Sequence, residues 1–298
     1  MKNIIEISNL NFGFDAKKQI LKNINLSVPK GSIYGFLGAN GAGKSTTMKL
    51  IMGLENEAND SIKLFGNSVS SFFPEGLKNI GSLIDYPAFY DHLSGYDNLK
   101  IVCEIRNLSE SKITETLELI GLSEAKDIKM KKYSLGMKQR LAIGLALISD
   151  PELLILDEPV NGLDPNGMME IRELLVKLNR EKGTTIFISS HLLQEIDKMV
   201  THLGIISHGE MKFEGSREEL NQMFQFQKTK FSMNDAEKYL PYVENAELKN
   251  NRELLVNTNS SADVAKINKT LIEKGAEIYQ ISAVGGLEEW FMEITKQN

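Results

Sequence analysis

Ile33-Tyr34-Gly35-Phe36-Leu37-Gly38-Ala39-Asn40-Gly41-Ala42-Gly43-Lys44-Ser45-Thr46 reads as an apolar strand running into G-x-x-x-x-G-K-[ST], with helix-forming residues 47–54 behind it. In that order, the glycines turn the backbone so that successive N–H groups converge on phosphate oxygens. They do so at a helix N-terminus, whose partial positive charge already favours an anion. Gly38, Asn40, Gly41, Ala42, Gly43, Lys44, Ser45 and Thr46 are therefore the candidate phosphate-binding set. Lys44 would reach the β- and γ-phosphates of a nucleotide, and the Ser45 hydroxyl would ligate Mg²⁺. A glycine-rich turn is the bland alternative, and the correct flanking elements argue against it.

Moving outward, Leu153-Leu154-Ile155-Leu156-Asp157-Glu158-Pro159 delivers two acids to the C-terminal end of an aliphatic strand, the edge where α/β sheets place their ligands. Asp157 suits an outer ligand to the Mg²⁺ held by Ser45. Glu158 is placed to orient or deprotonate the water that attacks the γ-phosphate. Two acids ending a strand are more often a turn or a helix cap, and the phosphate loop upstream is what favours chemistry. Residues 184–188 form a third buried apolar run, and the alternation of such runs with helical periodicity argues for α/β layers. Between residues 85 and 150 the strand signals fade, and 111–120 and 137–148 read as helices of an inserted helical region. Past Phe224 the chain turns more polar, with a strand over 253–257, a helix over 261–274 and a strand over 276–281. The expected domains are 1–222 and 223–298, the second a small α+β unit.

With 298 residues, 42% hydrophobic, 25% charged and only 7 Pro, the chain is globular and not disordered or low in complexity. A net charge of −6, from 34 basic and 40 acidic side chains, supplies no basic field for nucleic acid. The single cysteine, Cys103, excludes an intrachain disulfide and a Cys-based zinc site, and reads as a small buried hydrophobe. Met1-Lys2-Asn3-Ile4-Ile5-Glu6 places an acid where a signal peptide would begin its apolar stretch. No run of about 18 apolar residues occurs, so the chain is not expected to span a membrane by itself.

Tyr133-Ser134-Leu135-Gly136-Met137-Lys138-Gln139-Arg140-Leu141 resembles the signature sequence of the ATP-binding cassette (ABC) ATPases, usually L-S-G-G-Q. Ser134 and Gly136 match, whereas Tyr133, Leu135 and Met137 depart in the manner common in the bacitracin and lantibiotic resistance branch. These residues open a helix, so a hydroxyl, an N–H and the helix dipole could meet a phosphate; an ordinary serine N-cap fits them equally. The resemblance implies that this phosphate belongs to ATP held by an opposite subunit, hence a homodimer or heterodimer with two shared sites. Asn161-Gly162-Leu163-Asp164-Pro165 resembles the D-loop at that interface, and Asp164 joins the nucleotide set. Ser189-Ser190-His191 resembles the switch histidine, which would contact the γ-phosphate; His92, His202 and His208 read as structural. Phe14 stands where the family places an aromatic that stacks on adenine, with Phe12 as its rival.

Ile80-Gly81-Ser82-Leu83-Ile84-Asp85 resembles the Q-loop, with Asp85 where most members carry Gln. A carboxylate can ligate Mg²⁺ or its water, so the resemblance puts Asp85 in both the catalytic and the metal sets and links it to a membrane partner. Residues 86–96, with Pro87, Phe89, Tyr90 and Leu93, would line a groove for a permease helix or pack within the helical region. In the tail, Leu287, Trp290, Phe291 and Ile294 mark one apolar helical face, read as core or dimer contact. The resemblance as a whole implies a P-loop ABC ATPase domain, with a RecA-like core and a helical subdomain, that binds ATP and Mg²⁺. It implies transmembrane permease partners, a peptide substrate of antimicrobial or amphipathic type, and a place on the cytoplasmic face of a bacterial membrane. The rival is a soluble ABC machine of translation or DNA repair. One cassette, no long heptads and one cysteine weigh against it.

Overall fold

Five buried parallel strands carry the chemistry of this chain to one edge of a sheet. In the computed structural model, which describes residues 2–296 apart from 16–17, 58, 86–88 and 225–227, the sheet runs in the order Glu210–Ser216, His202–Ser207, Ile33–Leu37, Thr185–Ser190, Leu153–Asp157, Ile80–Leu83. All neighbours are parallel except the antiparallel pair Glu210–Ser216 and His202–Ser207. Every residue of Ile33–Leu37 and of Thr185–Ser190 is buried, which is why these strands read as continuous apolar runs without alternation. Parallel register brings Leu37 opposite Ser190, Asp157 opposite Ser189 and Leu83 opposite Leu156. The residues that follow each strand end therefore gather along a single rim.

An antiparallel sheet, ordered Leu21–Pro29, Asn3–Phe12, Ile62–Leu64, Asn67–Ser68, shares one core with the parallel sheet. Leu21–Pro29 alternates buried and exposed positions, as a strand solvated on one face should. Its Leu26 and the neighbouring Ile5 join Phe36, Met48, Ile51, Ile155 and Phe187 in a single cluster, where Phe36 and Phe187 stack at 5.5 Å.

The helical region contains Gly95–Ile105, Ser111–Leu119 and Leu135–Leu147, inside the expected 85–150. The first begins at a capping box, Ser94 Oγ accepting from Asp97 N at 3.0 Å and Asp97 Oδ2 accepting from Ser94 N at 3.2 Å. Cys103 lies buried within it, and burial pushes its thiol pKa up. Strand Ile80–Leu83 meets helix Leu135–Leu147 at Gly81, where an added Cβ would lie 2.0 Å from the Ala146 carbonyl oxygen. Gly81→Ala is therefore expected to lower unfolding free energy by about 2 kcal/mol or more in a urea titration. An unchanged midpoint would show that this helix packs with slack.

By internal contacts the chain divides into Met1–Ser216 and Arg217–Asn298. The division falls ahead of helix Arg217–Phe224, which a boundary at 222/223 would cut. The second unit carries an antiparallel sheet ordered Ala246–Asn250, Glu253–Val256, Thr229–Met233, Ile278–Ala283. With the short helix Ala236–Tyr239 and the longer Ser261–Glu273, this is a split β-α-β plan. Phe231, Met233, Leu254, Val256 and Leu271 form its core. The tail helix Leu287–Lys296 buries Leu287 and Trp290, and the Arg217 guanidinium lies 4.9 Å from the Trp290 ring centroid.

Candidate active site

Helix Lys44–Ile51 starts three residues before the expected residue 47, because its first turn is the phosphate-binding turn itself. Gly43, at a φ of +112°, makes the entry. A Cβ there would lie 2.5 Å from Leu21 Cδ2, so both backbone angle and space require glycine. Lys44 is only 6% exposed, and a buried ammonium needs partners. It donates to the carbonyl oxygens of Gly38 at 2.8 Å and Ala39 at 3.4 Å, and stands 3.3 Å from Glu158 Oε1.

Ser189 fixes the two strand-end acids: its hydroxyl donates to Asp157 Oδ1 and accepts from Glu158 N at 3.0 Å. Glu158 itself sits at a φ of +50°, a left-handed conformation that costs a non-glycine residue about 1–2 kcal/mol and turns the chain sharply at the strand end. Its Oε2 meets His191 Nδ1 at 2.8 Å. Its Oε1 is buried without a hydrogen-bond partner among the described residues, facing only the Lys44 ammonium. Lys44, Glu158 and His191 thus form one connected chain of charge and proton-carrying groups. Lys44, Ser45, Thr46 and Glu158 line a cavity of about 510 Å³, together with Asn40, Gly41 and Gly43.

This donor set suits Mg²⁺. That ion takes phosphate oxygens and water plus one or two carboxylates in nucleotide sites, without a dedicated protein cage. Among the described residues no three His, Cys, Asp or Glu side chains form such a cage. Of the expected metal set Ser45, Asp157 and Asp85, Ser45 lines the cavity, Asp157 stands at the strand end one residue before Glu158, a cavity-lining residue, held by Ser189, and Glu158 adds a buried oxygen with no hydrogen-bond partner among the described residues.

Other expected residues are set apart from this cavity. Phe14 is 65% exposed and lies edge-on to Phe12 at 5.2 Å, whereas Phe12 packs against the core. Ser134 caps helix Leu135–Leu147, accepting from Met137 N at 3.2 Å. Asp164 caps helix Pro165–Lys182, accepting from Gly167 N at 3.1 Å. A Cβ added at Gly136 would meet only Leu163, at 4.0 Å. None of Ser134, Gly136 and Asp164 is among the residues lining the phosphate cavity. Asp85, at a φ of +58°, places Oδ2 2.8 Å from Lys49 Nζ and does not line the cavity either. Of the expected permease groove, residues 86–88 lie outside the described residues. Tyr90 is exposed, and the Asn98 amide holds its backbone N–H at 2.9 Å and its carbonyl at 3.3 Å.

Sequence reading gave no role to Ser189, Lys49, Lys18 or Lys22, and read His208 as structural. Lys18, Lys22 and His208 line the same cavity as Lys44 and Glu158. The signal available for Ser189 is a hydroxyl near the end of the buried run Thr185–Ser190; Lys18, Lys22 and His208 at the cavity, and Lys49 beside Asp85, are brought into place only by the tertiary fold.

A lysine held at a helix start by the carboxylate that also touches a histidine belongs to the P-loop nucleoside triphosphatases, where phosphate oxygens compete for the same ammonium. Residues 21–161 match the family model described as ABC transporter. The bacitracin transport ATP-binding protein BcrA of Bacillus licheniformis is 36% identical, over 99% of this chain and 98% of its own length. The lantibiotic transport ATP-binding protein SrtF of Streptococcus pyogenes is 43% identical, over 74% of this chain and 96% of its own. The solved structure of cbiO1 from Clostridium perfringens, part of the ABC transporter complex cbiONQ, superposes with a TM-score of 0.66 at 27% identity, over 74% of this chain and 91% of that one. The chain belongs to the ABC transporter family as an ATP-binding subunit, and its activity is ATP hydrolysis.

Proposed function

We propose that this ATPase powers export of antimicrobial or other amphipathic peptides through separate permease subunits, from the cytoplasmic face of a bacterial membrane. The observation that carries the reading is similarity along the full chain to a bacitracin transport ATPase, joined over 74% of the chain by a lantibiotic one. The same relatives favour transport over the translation or repair alternative. The proposal gives the membrane passage to another chain; among the described residues no helix is long and apolar enough to cross a membrane.

In this reading Phe14 stacks on adenine, the N–H groups of residues 38–46 cradle the phosphates, and Lys44 turns from Glu158 to the β- and γ-phosphates. Ser45 and Asp157 hold Mg²⁺, which when bound neutralises phosphate charge. Glu158 orients the attacking water and accepts its proton, and His191 holds the Glu158 carboxylate in place and contacts the γ-phosphate. Ser134, Gly136 and Asp164 serve the site of a second cassette in a homodimer or heterodimer, in keeping with the roles of Ser134 and Asp164 as helix caps in this chain. Asp85 and residues up to 96 carry closure to the permease.

Tagged Glu158→Gln protein, pulled down with ATP in mild detergent, is expected to retain a stoichiometric multi-span protein identified by mass spectrometry. Recovery of ribosomes or soluble proteins alone would overturn the transport reading.

A further inference from the structure

Ser45 and Lys49 lie four residues apart on helix Lys44–Ile51, so they share one helix face a single turn apart. Lys49 thus sets a second ammonium close behind the hydroxyl assigned to the metal. Its Nζ is 2.8 Å from Asp85 Oδ2, and Asp157 and Glu55 add to the negative field around it. Asp85 arrives from the strand next to that of Asp157, with Leu83 paired to Leu156. Two strand ends therefore bring two carboxylates to the region, one kept for the metal and one engaged by a lysine.

An unpaired ammonium this near would oppose a divalent cation by simple Coulomb repulsion. A carboxylate already bridged to that ammonium is, in turn, a poor competitor for the ordered inner shell of Mg²⁺. We propose that Lys49 and Asp85 form an electrostatic positioning pair for the metal site: Asp85 favours the metal by neutralising Lys49, not by ligating the ion. The inference rests on the assignment of Ser45 and Asp157 to Mg²⁺. It explains how an aspartate, with an added charge, stands at a position where a neutral glutamine is usual in the resemblance that identified it.

The test is the apparent dissociation constant of Mn²⁺ from the full-length protein in saturating ADP, read by electron paramagnetic resonance, so that no turnover is needed. Asp85→Asn exposes the Lys49 charge and is expected to weaken Mn²⁺ binding roughly fivefold. Lys49→Met frees a carboxylate and is expected to leave binding as tight as wild type or tighter. The double variant is expected to return within about twofold of wild type, and Lys49→Arg to match wild type. A double variant as weak as Asp85→Asn would make Asp85 a ligand and overturn the proposal, as would single variants that both leave Mn²⁺ binding unmoved. Ser45→Ala and Asp157→Asn are the separate controls: if neither weakens Mn²⁺, the metal assignment itself fails, which is a different result from the double-variant outcome.

Discussion

Glu158→Gln is expected to bind ATP, remain locked in a dimer and hydrolyse about 10²–10⁴ times more slowly than wild type, the range that a positioned general base contributes. The substitution keeps the shape of the side chain and its reach to His191, whose Nδ1 lies 2.8 Å from Oε2. It removes the charge that faces the Lys44 ammonium at 3.3 Å. Lys44 then keeps the carbonyl oxygens of Gly38 and Ala39 but loses its ion pair, and is more available to phosphate. ATP affinity should therefore rise, by roughly threefold to tenfold. Calorimetry with Mg-ATP checks binding, size-exclusion chromatography checks the dimer, and phosphate release checks hydrolysis. Turnover within threefold of wild type would remove Glu158 from the chemical step.

The parts of this molecule that could be read in advance are those where one short stretch carries its own physics. Ile33–Leu37 and Leu153–Asp157 are buried on both faces, so hydrophobicity alone marked them, and the acids and glycines behind them named the rim. The strand pair His202–Ser207 and Glu210–Ser216 carries a weaker local signal, since the second is only half-buried and lies at the sheet edge. Helix Gly95–Ile105 was legible in principle, because Ser94 and Asp97 spell its capping box, and helix Pro165–Lys182 likewise announces itself through Asp164 and Pro165. What no local pattern carries is contact between distant strand ends. Ser189 joins Asp157 and Glu158 through the register of parallel strands, and Lys49 reaches Asp85 from the helix behind the phosphate loop, 36 residues away in sequence. The signature residues show the opposite case. Within one chain Ser134 and Asp164 are helix caps, so their meaning depends on a second cassette.

SrtF aligns over 96% of its own length while covering 74% of this chain, whereas BcrA of Bacillus licheniformis aligns from end to end. A lantibiotic transport ATPase is thus matched over nearly its whole length by three quarters of this chain. Every residue of the Lys44, Glu158 and His191 chain lies within Met1–Ser216.

Lys44→Ala is expected to cost ATP binding about 10–150-fold, the worth of one charged hydrogen bond of about 1.5–3 kcal/mol to phosphate. The loss has a second source that the geometry makes explicit. Glu158 Oε1 is buried with no hydrogen-bond partner among the described residues, so the ammonium at 3.3 Å is what balances it. Without Lys44 that carboxylate faces the phosphates uncompensated and repels them, and a buried charge stripped of its partner is itself destabilising. Both effects predict a non-additive cycle. Lys44→Ala alone should show no thermal shift with millimolar ATP and no dimer. Lys44→Ala with Glu158→Gln should recover part of the binding, roughly threefold to tenfold, and part of the thermal stability, with no recovery of hydrolysis. Equal ATP affinity of the single and double variants would mean that Glu158 does not sense Lys44, and that the two side chains act on the nucleotide independently.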